Sequence, residues 1–213
     1  MRIYGPFEGS LSSSCLATTG LGSELGSVRG TRPAASGGLL SGVGDRLLRL
    51  RPQVRGSRRP VLRDIAVLLD RHGVPGDRGS LLAYTTFNVA VGNADAHGKN
   101  ISILHHRNGQ AELAPMYDVS SIVHYRPFST DLAMRVNRTR DINLVNAGDL
   151  IAEAAHWGLR AEFAEVVVTR TLEELRSCVS PASSGLAVDE RLVGNIGDRV
   201  ENLLAGRAAG GKG

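Results

Sequence analysis

The sequence changes character at Val61, and that change limits where a core can form. Residues 1–60 hold eleven Gly, nine Ser and nine Arg, and their apolar positions follow neither a period of 2 nor one of 3.6. Such a segment buries too little apolar surface to offset the entropy of ordering it, so residues 1–60 are expected to be disordered and to share no core with the rest. A compact domain is expected over residues 61–205, and the Gly-rich residues 206–213 should form a flexible tail. The formal charge of +4 follows the same boundary. Nine Arg against three acids give residues 1–60 a balance of +6, which leaves −2 for the remainder. The domain itself is therefore no polyanion binder by charge.

Within residues 61–205 the pattern is mainly helical. Leu62, Ile65, Ala66 and Leu69 form an i, i+3, i+4, i+7 stripe, with Asp64 early, Arg71 and His72 late, and Gly73 and Pro75 as stop signals. Ser80 is placed to cap a second helix, with Leu81, Tyr84, Phe87 and Val91 on one side and Gly92 ending it. Its β-branched run (Thr85, Thr86, Val89, Val91) weakens helix propensity, so packing has to hold it. A single hairpin follows, Ile101–Leu104 and Ala111–Ala114 around the Asn108-Gly109 turn signal. The rest reads as helices. Leu150, Ile151, Ala154 and Ala155 form a stripe closed by Gly158. Phe163, Val166, Val167, Leu175, Cys178 and Val179 form another, ended at Ser180-Pro181. Leu192, Val193, Ile196, Val200, Leu203 and Leu204 form the last, with Asp189 and Glu190 at its start. The fold class is thus mainly α with one short β-hairpin.

Between the second helix and the hairpin lies Asn93-Ala94-Asp95-Ala96-His97-Gly98-Lys99-Asn100, and Asp118 follows the hairpin in Met116-Tyr117-Asp118. These are the residue types a phosphoryl-transfer site needs on its catalytic side. Asp95 is placed to orient an attacking hydroxyl, Lys99 to offset charge on the moving phosphoryl group, and Asn100 with Asp118 to hold Mg²⁺ through oxygen. The hairpin bears on this, because an antiparallel ribbon between Asn100 and Asp118 returns both to one end. Structural roles compete for the same residues: Asp95 as an Asx-turn former, Asp118 as a cap for Val119-Ser120-Ser121, Lys99 as a solvated lysine. His97 is read as positioning the loop. A metal-dependent phosphohydrolase using Asp95, His97 and Asp118 is the alternative of another class. His105 and His106 face opposite ways on a strand and cannot share one ion. Cys15 and Cys178 do not make a disulfide framework, which points to a reducing cytoplasm, and no apolar run is long enough to cross a bilayer.

At Asp64-Ile65-Ala66, the Asp95-x-His97-x-Lys99-Asn100 loop, Leu113-Ala114-Pro115-Met116-Tyr117-Asp118 and Leu132-Ala133-Met134, the chain resembles the HipA family, serine/threonine-kinase toxins of type II toxin–antitoxin pairs. The resemblance implies the helical C-terminal lobe of a two-lobed kinase-like fold, with ATP and Mg²⁺ as cofactors. Asp95 would be the base, Lys99 a neighbour of the transferred phosphate, and Asn100 and Asp118 the metal ligands. It also implies an antitoxin of helix-turn-helix type as partner, DNA approached only through that antitoxin, and a protein substrate; an aminoacyl-tRNA synthetase is among the family's substrates. Gly98 and Met116 depart mildly from the family pattern. The larger departure is that no nucleotide-covering lobe and no G-x-G-x-x-G is legible, and Lys212 is the one lysine besides Lys99. The expectation is therefore a truncated kinase, with an inactive remnant acting as a binding partner as the runner-up.

Overall fold

The computed structural model describes residues 46–49, 61–71, 76–105, 111–125, 128–179 and 189–211. Strand β1 (Arg46–Arg49) comes first, then helices α1 (Leu62–Arg71) and α2 (Asp77–Val91), strands β2 (Ser102–His105) and β3 (Ala111–Leu113), and strands β4 (Asp131–Val136) and β5 (Thr139–Asp141). Helices α3 (Ala147–His156), α4 (Ala161–Val179) and α5 (Glu190–Leu204) complete it. The fold is mainly helical, as its periodicity predicts.

Helix α2 is the axis of the domain and packs against all four other helices. Every residue from Leu81 to Val91 is buried, so the helix is enclosed on all sides and not on one stripe. That encirclement is what holds its β-branched run in helical form. It also begins earlier than expected. Gly76, at φ 84°, precedes the first turn at Asp77, and Ser80 lies inside the helix without capping it. Helix α1 buries the four residues of its predicted stripe, and the Asp64 carboxylate accepts from the Val61 amide at 3.1 Å. The stop signals Gly73 and Pro75 fall outside the described residues.

The predicted hairpin forms. Strands β2 and β3 pair antiparallel with Ile103 opposite Leu113 and His105 opposite Ala111; the Asn108-Gly109 turn lies outside the described residues. Strand β1 pairs along the other edge of β2, Leu48 opposite Ile103. Four residues of the 1–60 segment thus take part in this sheet.

A second hairpin, β4–β5, adds to the single one that the sequence predicts. Its Asn137-Arg138 turn has both residues at positive φ, 43° and 70°, the backbone a two-residue loop demands. An Asn-Arg pair is a weak signal for that turn. Contacts from α3 supply what local sequence does not: the Asn137 amide donates to the buried Glu153 carboxylate at 2.8 Å, and the Asn137 side chain donates to Asp149 at 3.0 Å. Asp149 also closes a capping box with Asn146 at the start of α3.

On α4 the buried face is Ala164, Val167, Val168, Thr171, Leu172, Leu175 and Val179, so Phe163 and Val166, expected on the stripe, are exposed. Helix α5 buries Ile196, Val200 and Leu203, with Asp189 as its N-cap. The expected loose end does not describe residues 206–211. Ala209 is fully buried, its amide donates to the Val145 carbonyl at 2.8 Å, and Gly210 donates to Asn143 at 2.8 Å. Arg199 on α5 completes this anchor. Its guanidinium donates to the Val89 carbonyl at 2.8 Å, in the last turn of α2, and to the Asn143 side chain at 2.6 Å. Burial pulls that guanidinium down to about 10, opposed by the charge of Asp141.

Candidate functional site

The site is built where α2 stops. Gly92 takes the left-handed conformation at φ 77°, and its amide closes the helix on the Asn88 and Val89 carbonyls. Two buried asparagines carry the exit onward. The Asn93 amide group donates to Asn88 Oδ1 at 2.7 Å, and Asn88 donates to the Tyr84 carbonyl at 2.8 Å. The peptide chain then passes between two partners. The Gly92 carbonyl accepts from Val123 at 3.2 Å and the Ala94 carbonyl from Ala133 at 2.9 Å. Asp95 therefore sits on a loop whose start is fixed from both sides, its side chain in solvent.

A 3₁₀ turn over Gly98–Asn100 follows, closed by the Asn100 amide on the His97 carbonyl at 2.9 Å. His97 shapes this turn through its backbone. Its ring makes no hydrogen bond among the described residues, and Nδ1 is buried without a partner. Lys99 is exposed and Asn100 is buried, 4 % exposed. Buried amides are ordinarily hydrogen-bonded, yet no hydrogen bond from the Asn100 side chain exists among the described residues.

Asp118 reaches this place through the β2–β3 register. The Ala114 amide donates to the Ser102 carbonyl at 2.9 Å, which extends the ladder one residue past the strands. Tyr117, quoted in the sequence motif without a role, locks the junction. Its hydroxyl donates to the Lys99 carbonyl at 2.8 Å, and the Ser102 hydroxyl lies 2.8 Å from the same oxygen. With the phenolic proton committed to Lys99, Ser102 is left to donate. The residue before Asp118 is thus tied to the residue before Asn100. Asp118 itself is exposed, at φ 58°, a conformation costing a non-glycine residue about 1–2 kcal/mol. The competing role of capping Val119-Ser120-Ser121 is not taken up, because the Asp118 carboxylate makes no hydrogen bond among the described residues. Neither the Asp95 nor the Asp118 carboxylate makes a hydrogen bond or ion pair among the described residues.

Two further groups face this region. Burial pushes the Tyr84 phenol far above the ordinary tyrosine range, with Tyr117 and Asp118 adding to it, and its oxygen has no hydrogen-bond partner among the described residues. The segment after Asp118 is pinned to α5 by His124, whose Nε2 lies 3.0 Å from Asp189 Oδ2 while Nδ1 accepts from Asn195 at 3.1 Å.

The donor chemistry of Asn100 and Asp118, one amide oxygen and one carboxylate, fits a hard cation such as Mg²⁺, which keeps several waters and takes few protein ligands. Among the described residues no three His, Cys, Asp or Glu side chains come close enough to hold an ion, which removes the geometric basis for the hydrolase set of Asp95, His97 and Asp118.

The chain belongs to the family of HipA-like C-terminal domains, whose family model matches residues 49–179, more than half of the chain. Among its relatives is Y4mE of Sinorhizobium fredii strain NGR234, named as a candidate kinase, 33% identical over 131 residues that cover 60% of this chain and 30% of that protein. The serine/threonine-protein kinase toxin HipA of Shewanella oneidensis MR-1 is 39% identical over 79 residues, 37% of this chain and 18% of the toxin. A solved structure from the same organism, HipA with HipB and its operator DNA, superimposes with a TM-score of 0.56 at 25% identity, covering 68% of this chain and 34% of that one. The chain thus spans about a third or less of the length of the relatives it matches. No helix among the described residues is long and apolar enough to cross a membrane.

Proposed function

We propose that this chain supplies the catalytic side of an ATP- and Mg²⁺-dependent serine/threonine protein kinase of HipA type, working in the cytoplasm as part of a toxin–antitoxin pair. The observation that carries the reading is the junction of the two motif halves. The Tyr117 hydroxyl donates to the Lys99 carbonyl, tying the residue before Asp118 to the residue before Asn100, which supports a shared role for the two. Asp95 would orient the acceptor hydroxyl and take its proton, held in place by the Gly92 and Ala94 backbone bonds. Lys99 would offset charge on the transferred group, and Asn100 and Asp118 would hold the metal. When bound, Mg²⁺ supplies charge neutralisation between the nucleotide phosphates. His97 serves the loop through its backbone. A helix-turn-helix antitoxin is the proposed partner, by analogy with the relative solved with HipB and operator DNA. DNA is then met through that antitoxin.

A second reading, a lobe that binds its partner and transfers no phosphate unaided, is favoured by one observation. Lys99 and Lys212 are the two lysines of this sequence, and with Lys99 read beside the transferred group few ammonium groups are left to hold the α- and β-phosphates. The test measures transfer from labelled ATP with Mg²⁺ to a mixed-protein acceptor, for the chain alone and with an added nucleotide-covering lobe. Slow transfer alone, acceleration on addition, and loss in Asp95→Ala under both conditions are expected. Transfer that survives Asp95→Ala would refute the assignment.

A further inference from the structure

We propose that Tyr84 is a positioning residue for the metal end of the site: with an ion on Asn100 and Asp118, its buried phenol donates to the Asp118 carboxylate oxygen that the ion leaves free. The inference rests on the Mg²⁺ reading of those two residues and adds a third residue to it.

Helix register brings Tyr84 to this place. Asp77, Tyr84 and Val91 fall at i, i+7 and i+14, along one line of α2. The segment that follows β3 runs beside the same helix and is pinned at both ends. The Asp77 carboxylate accepts from the Leu113 amide at 2.8 Å, and the Gly92 carbonyl accepts from the Val123 amide at 3.2 Å. Tyr84 lies about 10 Å along the axis from Asp77, near the middle of that span. Tyr117 and Asp118 are the fourth and fifth of the ten residues after Leu113, so they pass the helix at the same level.

The phenol has a proton to give and no acceptor. Tyr84 is 6 % exposed, and its oxygen makes no hydrogen bond among the described residues. Burial first, then the charges of Tyr117 and Asp118, oppose its ionisation, so the proton stays on. Three neighbours could accept it. Asn88 is engaged at both ends, accepting from Asn93 at 2.7 Å and donating to the Tyr84 carbonyl at 2.8 Å. The Tyr117 oxygen donates to Lys99 and takes the proton of Ser102. Asp118 remains, an acceptor-only group without a hydrogen bond among the described residues.

The ion joins the two. Asn100 is 4 % exposed, so an ion that it holds sits at the edge of the core. Asp118 is exposed and its backbone is set at φ 58°, so its carboxylate has to swing inward to meet that ion. One oxygen then binds the metal, and the other enters a buried setting where it needs a donor. The Tyr84 phenol is there to supply it. Such a second hydrogen bond fixes the orientation of a ligating carboxylate and sets part of the metal affinity.

The test uses the full 213-residue chain and Mn²⁺ alone, titrated into the millimolar range by electron paramagnetic resonance, with thermal unfolding in EDTA beside it. Tyr84→Phe removes the hydroxyl and nothing else. It should weaken Mn²⁺ binding about tenfold. Its Tm in EDTA should be unchanged or higher, because the lost hydroxyl had no partner. Thr86→Val, which removes another buried and unpartnered hydroxyl from α2, should leave Mn²⁺ affinity intact. The Tyr84→Phe loss should persist in Asn100→Ala and vanish in Asp118→Ala, since the phenol acts through Asp118. Unchanged Mn²⁺ affinity in Tyr84→Phe, an equal loss in the Asp118→Ala background, or a lower Tm in EDTA would overturn the proposal. Failure of the metal reading looks different and takes the proposal with it: Asn100→Ala and Asp118→Ala would then bind Mn²⁺ as the wild type does.

Discussion

Replacing Gly92 by alanine should be among the most damaging single-methyl changes in the chain, and its cost divides into two parts that can be measured apart. The first is backbone strain. At φ 77° an L-residue pays about 1–2 kcal/mol for the left-handed conformation. The second is space. A Cβ there would lie 2.3 Å from Val123 Cγ2 and 3.4 Å from Ser121 Oγ, so the Val123 segment must move, at a cost of about 1–3 kcal/mol. Moving it also strains the Val123–Gly92 backbone hydrogen bond of 3.2 Å. Together these give about 2–5 kcal/mol, which lowers Tm by on the order of 10 °C in a domain of this size. Urea unfolding of four proteins measures both parts: wild type, Gly92→Ala, Val123→Ala and the double variant. Removing the Val123 methyls relieves the overlap, so Gly92→Ala should cost about 1–3 kcal/mol less in the Val123→Ala background, with the strain remaining. The same cost in both backgrounds would show that the close approach is not what demands glycine. A total below about 0.5 kcal/mol would sink the backbone argument as well.

Asn100→Ala and Asp118→Asn should each weaken Mn²⁺ binding at least tenfold, read by electron paramagnetic resonance titration, and a nucleotide complex should place both side-chain oxygens about 2.0–2.1 Å from Mg²⁺; unaltered metal affinity in both variants would remove the pair from the site. Tyr117→Phe deletes the bond to Lys99 and the acceptor for Ser102, which should cost about 1–3 kcal/mol and speed amide exchange at Asn100. Unchanged protection there would mean that Tyr117 does not tie the two motif halves. Stability should decline in acid. The Arg78 hydrogen bond holds the Asp70 carboxyl below its usual range, and the Arg191 amide does the same for Asp189, with His124 assisting. Each contribution is present above the unfolded aspartate pKa and is lost as pH falls through the depressed folded value, so Tm should drop below about pH 4. Asp189→Ala should shrink that drop; an identical acid profile would assign it to other groups.

Several features were legible in the sequence because they are encoded over a few neighbouring residues. The stripes of α1 and α5, the left-handed stop at Gly92 and the β2–β3 pairing depend on apolar period or on one backbone requirement. The parts of the candidate site were legible for the same reason, since Asp95, Lys99 and Asn100 share one loop. Other features depend on groups far apart in the chain, and no local pattern carries them. Helix α2 is buried all round because four helices surround it, a fact its own stripe cannot express. The Asn137-Arg138 turn forms because Glu153 and Asp149 of α3 meet it, and residues 206–211 are ordered by the carbonyls of Asn143 and Val145. The left-handed backbone of Asp118 and the Tyr117 bridge to Lys99 likewise exist only once the hairpin has closed. Sequence periodicity states which face is apolar. Which buried donor meets which acceptor across fifteen or a hundred residues is decided when the core packs, because each such group must find a partner where it comes to rest.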